Sequence, residues 1–169
     1  ELDGVDDEGL RHFLRPSDSR LWRLLAALRH GVSAARIHAA TGITPWLIAE
    51  HERLVAIERR VREAGRTLVG PDPGSVSLLA TAKRSAIGDA DLARMAGIDV
   101  GRIAGRRAQL GLVPGYAMVD TCAAEFAAST PYFYSTYAAA GSPPEAGPVS
   151  RPAALVIGSG PVRIGQGIE

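Results

Sequence analysis

The sequence holds 169 residues, 46% of them apolar, with a net charge of +1 and both signs mixed along the chain. That allows one medium domain with flanking segments and a core, and it gives no strong field toward nucleic acid or a membrane surface. One cysteine excludes an internal disulfide, four scattered histidines argue against a zinc site, and no stretch approaches the roughly 20 apolar residues of a membrane span, so a reducing cytoplasm is the expected compartment.

Glu1 to Leu14 is acidic, then mixed, without a clear period, and reads as a solvated tail. A helix is predicted from Ser17 or Asp18, either of which can cap free N–H groups. Leu21, Leu24, Leu25 and Leu28 then form one stripe at i, i+3, i+4 and i+7, with Arg20, Arg23 and Arg29 off it. Gly31 stops this helix. Ser33 opens a short second helix anchored by Ile37 and closed by Gly42. Thr44-Pro45 pairs a capping residue with proline at the first helical position, and the longest helix runs from there to Ala64. Along it Leu47, Leu54 and Val61 repeat every seven residues, with Ile57 between the last two. Glu50, Glu52, Arg53, Glu58, Arg59, Arg60, Arg62 and Glu63 make a charged face. The repeat suits packing within the chain or a seam against a partner helix.

Gly70-Pro71-Asp72-Pro73-Gly74 is a break. Helices resume near Ser75 or Ser77 with Leu78 and Leu79, and stop at Gly88. Asp89 is read as the cap of the next helix, which carries Leu92, Ala93 and Met95 and ends at Gly97. Asp99 caps another, which places Val100, Ile103 and Leu110 inward and ends at Gly111. No period-two strand pattern appears before Leu112. Pro114-Gly115 marks a turn. From Val119 to Tyr137 the chain holds five of its seven Tyr and Phe residues without a Lys or Arg. So many aromatics must bury against the chain or a partner. Pro131 breaks any helix attempted through residues 124–128. A linker rich in Ala, Gly, Ser and Pro follows, and then the apolar run Leu155-Val156-Ile157 enters the glycine loop Gly158 to Gly167.

Candidate chemistry is sparse. Gly158 and Gly160 permit close backbone approach, as in phosphate-cradling loops, but Arg163 stands where a dinucleotide fingerprint needs its third glycine. Asp120, Cys122 and Glu125 invite a nucleophile or metal reading. Without a histidine near Cys122 in sequence, a buried structural thiol with capping carboxylates is the better account. His12, His30, His38 and His51 show no ligand spacing. The helices around Gly97, with Arg102, Arg106 and Arg107 on the second, mimic a helix-turn-helix. A DNA-binding regulator is therefore the alternative function, though the near-neutral charge opposes it.

Three strings, in order, resemble the large subunit of carbamoyl-phosphate synthetase. They are Val-Asp-Thr-Cys-Ala-Ala-Glu-Phe at Val119–Phe126, Tyr-Ser-Thr-Tyr at Tyr134–Tyr137, and Gly-Ser-Gly-Pro-Val-Arg-Ile-Gly-Gln-Gly-Ile-Glu at Gly158–Glu169. The resemblance implies the helical oligomerisation domain between the two synthetase halves. Residues 1–15 would end the preceding catalytic half, 16–137 form the domain, 138–152 a linker, and 153–169 the truncated start of the second half's domain before an ATP-grasp fold. The expected fold is all-α: several short helices and one long one in a bundle-like domain, then an irregular segment and a truncated strand with its glycine loop. Both chain ends are expected to be boundaries within a longer chain.

By the same resemblance, the parent enzyme makes carbamoyl phosphate from bicarbonate, glutamine-derived ammonia and ATP, for arginine and pyrimidine synthesis. It needs Mg or Mn, and K. The family's metal carboxylates and ATP-binding residues match nothing in this stretch, so the chain by itself is expected to be non-catalytic and to hold no cofactor. Positions equivalent to Arg163, Gly167 and Glu169 line the end of a carbamate channel. Expected partners are a second copy, the catalytic halves of the same large chain, and a glutaminase small subunit. Nucleic acid and membrane are not expected. For subunit contacts, the leucine stripes nominate Leu21, Leu24, Leu28, Leu47, Leu54 and Val61.

Overall fold

The computed structural model describes residues 4–122, 125–127, 130, 132–139, 145, 147 and 149–155. Among them are seven α-helices: α1 (Asp7–Phe13), α2 (Arg20–Arg29), α3 (Ala34–Thr41), α4 (Pro45–Ala64), α5 (Pro73–Arg84), α6 (Asp89–Ala96) and α7 (Val100–Gln109). Turns of 3-10 helix cover Gly65–Val69 and Tyr137–Ala139, and two short strands, β1 (Gly115–Met118) and β2 (Phe133–Thr136), pair into a small sheet. The mainly helical expectation holds. The described residues fall into two compact units: those within Glu1–Gly115 and Ser135–Ser142, and those within Tyr116–Tyr134 and Pro143–Glu169.

Local chemistry sets most of the helix ends of the first unit. The Ser33 hydroxyl accepts from the Arg36 N–H at 3.3 Å and starts α3, and the Asp99 carboxylate accepts from the Gly101 N–H at 2.8 Å and starts α7. Pro45 occupies the first turn of α4, as its fixed φ allows. Gly42 and Gly97 close α3 and α6 with φ of +70° and +64°, a conformation that penalises residues with a Cβ. Other boundaries differ from the sequence reading. Ser19, rather than Ser17 or Asp18, is the cap position of α2, and α5 begins at Pro73 under an Asp72 cap, ahead of Ser75.

The acidic start is no solvated tail in its second half. Asp6 caps α1 by accepting from the Gly9 N–H at 2.8 Å, and Leu10 and Leu14 are buried. Two leucines one turn apart are too few to show a period, so only their burial reveals the helix.

Burial divides the first unit into two clusters. One holds Leu10, Leu14, Leu24, Ala27, Leu28, Ile37 and Ile48, from α1 to α4. The other holds Val61, Leu68, Leu78, Leu79, Ala82, Leu92, Ala93, Ala96 and Ile103, from α4 to α7 and the 3-10 turn after α4. Helix α4 is the spine shared by both. At about 100° per residue, Ile48 and Val61 point roughly 140° apart, so α4 buries different faces at its two ends. Ile48 and Val55 face the first cluster, while Ile57 and Val61 face the second. The Leu47/Leu54/Val61 stripe therefore starts in solvent, with Leu47 40% exposed, and ends with Val61 fully buried. Val100, expected inward, is 47% exposed at the first residue of α7, whereas Ile103 one turn later is fully buried.

In the second unit the Val119 N–H donates to the Tyr132 carbonyl at 2.9 Å, and the Glu145 N–H donates to the Tyr116 carbonyl at 3.2 Å. Phe126, Tyr132, Phe133 and Tyr134 are all exposed.

Candidate functional site

The nominated interface leucines separate by burial. Leu24, Leu28 and Val61 are 3%, 8% and 0% exposed, so these three belong to the chain's own core. Leu21 and Leu47 are exposed, and Leu54 is half-buried. The reason is geometric: a stripe wider than the neighbouring helices leaves its edge in water. Two tryptophans on the same helices are exposed as well. Trp22 on α2 is 67% exposed and Trp46 at the start of α4 is 72% exposed. The sequence reading passed over both, because neither keeps the leucine spacing. Tryptophan is enriched in protein interfaces relative to the rest of the surface.

Trp22 borders a groove of about 840 Å³, together with Leu25, Leu54, Met95 and a set of ion pairs. Arg29 meets Glu58 with both arms of its guanidinium, Nε to Oε2 at 2.8 Å and Nη2 to Oε1 at 2.7 Å. Arg62 adds a contact to Glu58 Oε2 at 3.2 Å. The hydrogen bond from Arg29 is the largest influence on the Glu58 carboxyl, which is held below its ordinary range despite partial burial. A second pair, Arg94 with Asp91, stands on the same groove.

The arginines of the helix-turn-helix reading are engaged within the fold. Arg106 donates to the Gly70 carbonyl at 3.0 Å, and Arg107 binds the Asp89 carboxylate through Nε at 2.8 Å. Arg102 is exposed. One exposed arginine does not make a basic reading face. Asp89 is also not the cap of α6. Gly88 holds that position, and the Asp89 side chain turns to Lys83 and Arg107 instead.

Cys122 is half-buried rather than buried, and its N–H donates to Asp120 Oδ1 at 2.9 Å, so the carboxylate caps a turn. Glu125 is exposed. Among the described residues no group of three or more His, Cys, Asp or Glu is placed to hold a metal, and no helix is long and apolar enough to cross a membrane. Arg163, Gly167 and Glu169 lie outside the described residues.

Residues 2–111 match a family model described as the carbamoyl-phosphate synthetase large chain, oligomerisation domain. The chain is 44% identical over 165 residues to the carbamoyl phosphate synthase large chain of Thermomicrobium roseum, covering 97% of this chain and 14% of that protein. The corresponding large chain of Streptomyces coelicolor is 40% identical over 166 residues, 98% of this chain and 14% of that one. That of Methanothrix thermoacetophila is 39% identical over 164 residues, 96% and 14%. The chain thus spans 14% of the length of these curated relatives.

Proposed function

This chain belongs to the oligomerisation-domain family of the carbamoyl-phosphate synthetase large chain, and we propose that it serves a longer chain as a self-association and bridging module. The observation that carries this reading is the set of large apolar side chains left exposed on α2 and α4. Both helices already spend one face on the core through Leu24, Leu28 and Ile48, yet they leave Leu21, Trp22, Trp46 and Leu47 at 40% exposure or more. Burying large apolar side chains against a partner releases roughly 1.5–3 kcal/mol each, which a solvated face does not recover.

Chemistry belongs to the longer chain in this proposal. That chain forms carbamoyl phosphate from bicarbonate, glutamine-derived ammonia and ATP in the cytoplasm, for arginine and pyrimidine synthesis. Its glutaminase small subunit is a further partner. ATP, Mg or Mn, and K would be held by the synthetase halves. The module itself contributes assembly and no catalytic step.

Sedimentation of the chain across a concentration series tests the proposal. Leu47→Glu and Trp22→Glu should weaken self-association while helical content stays at the wild-type level. Leu24→Glu would be uninformative, because Leu24 is a core residue at 3% exposure. A chain that remains monomeric at every concentration would overturn the self-association reading.

A further inference from the structure

The ends of α5 and α7 and the start of α6 bring three charges together inside the first unit. The Lys83 side chain is 5% exposed, and its ammonium donates to the Ile87 carbonyl at 2.8 Å and to Asp89 Oδ1 at 2.7 Å. Arg107 reaches the same carboxylate through Nε and Nη2, the latter at 2.7 Å from Oδ2, and donates from Nη1 to the Leu112 carbonyl at 3.2 Å. Two cations share one carboxylate, so one positive charge is left over in a site largely closed to water. An ammonium has three N–H bonds, and two of them are spent on oxygen. The ring of Tyr137 lies over both cations, its centroid 4.8 Å from Lys83 Nζ and 5.6 Å from Arg107 Cζ. The negative face of an aromatic ring is a fitting cover for a desolvated cation.

Tyr137 reaches this place by a detour. The chain leaves the first unit after Gly115 and rejoins it at Ser135. Ser135 and Thr136 end β2, which pairs with β1, and Tyr137 follows directly. A cavity of about 300 Å³ is lined by Ser135, Thr136 and Tyr137 together with Lys83, Arg84 and Ala86–Gly88, so packing there is incomplete and the ring is the contact that reaches the charged cluster. Thr136 Oγ1 accepts from the Ala138 N–H at 3.1 Å and stiffens the turn around it.

We propose that Tyr137 is a clasp: its ring, seated on the Lys83–Asp89–Arg107 cluster, pins residues 135–139 to the helices of the first unit. The clasp is a device of this chain alone and does not depend on self-association. When it opens, the Lys83 ammonium gains access to solvent and residues 135–139 are released from the helices.

Lys83 is the only lysine in the sequence, so an amine-reactive acylating reagent reports on the clasp directly, with the chain's terminal amine as internal reference. Tyr137→Phe keeps the ring and should label at the wild-type rate. Tyr137→Leu keeps apolar bulk without the π face and should label roughly tenfold faster while helical circular dichroism is unchanged. Fluorinated phenylalanines at position 137, nearly the same size, should speed labelling as each added fluorine drains the ring face, which keeps the test informative if the leucine variant folds poorly. Equal rates across the fluorinated series, or Tyr137→Phe labelling as fast as Tyr137→Leu, would overturn the proposal.

Discussion

Asp89→Asn removes a charge and leaves the shape almost unchanged, so its effect isolates the electrostatics of the buried cluster. Lys83 retains 5% side-chain exposure, Asp89 18% and Arg107 20%. Removing one partner of a buried ion pair costs about 3–5 kcal/mol, because the other is left uncompensated out of water. Here Arg107 keeps some access to water, and the Asn amide oxygen can still accept one hydrogen bond. The low end, about 3 kcal/mol, is the expected loss. At roughly 2–4 °C per kcal/mol for a chain of this size, Tm should fall by roughly 6–12 °C. Urea titration followed by far-ultraviolet circular dichroism measures the same quantity. Adding Lys83→Met removes the stranded ammonium, so the double variant should lose less than the two single losses together, with a coupling of about 1–3 kcal/mol. A loss below about 0.5 kcal/mol for Asp89→Asn would refute the reasoning and place the cluster among screened surface pairs. Acid offers a check of sign. Burial pushes the Asp89 carboxyl up, but the hydrogen bonds and charges of Arg107 and Lys83 outweigh it and leave the pKa below its ordinary value. A depressed folded pKa means the stabilisation is whole above the ordinary carboxylate range and is lost as pH falls through the folded value. Wild type should therefore lose more stability on acidification than Asp89→Asn does.

Glu58→Gln should behave likewise on a smaller scale. Its partner Arg29 is 37% exposed, so solvent screens the pair, and about 1 kcal/mol is expected at neutral pH. The wild-type advantage should vanish as pH drops through the lowered Glu58 pKa; an advantage that persists in acid would exclude the pair as its source. Gly65→Ala is expected to cost about 1–3 kcal/mol through the backbone alone, because Gly65 sits at φ +51° and ψ −128°. A Cβ there would meet nothing closer than the Ala96 carbonyl oxygen at 3.8 Å, so a thermal melt that stays at the wild-type midpoint would count against backbone strain.

Several contacts that lie within a few residues along the chain were legible in the sequence. Ser33 and Asp99 cap their helices because the N–H groups they satisfy are two or three residues away. Gly42 and Gly97 end theirs because a left-handed residue is a local demand. The leucine spacing of α2 located a buried stripe for the same reason, and three of its four leucines are buried. The three quoted strings named the family without any geometry, and the family match over residues 2–111 agrees with them.

Only tertiary structure decided which apolar stripe is core and which is surface. A seven-residue repeat drifts by about 20° per step, and it says nothing about where a neighbouring helix ends. Leu47 is left in water while Val61 is buried, because the cluster around α5 and α6 covers only the far end of α4. Asp89 reads as a helix cap in sequence, since capping is what an aspartate before an apolar run usually does. Its partners Lys83 and Arg107 stand 6 and 18 residues away and come together only when α5, α6 and α7 pack. Charge pairing at that separation is set by the fold rather than by spacing along the chain, so the sequence alone determined the family and most of the helices, and packing determined α1, the buried charge cluster and which apolar side chains stay exposed.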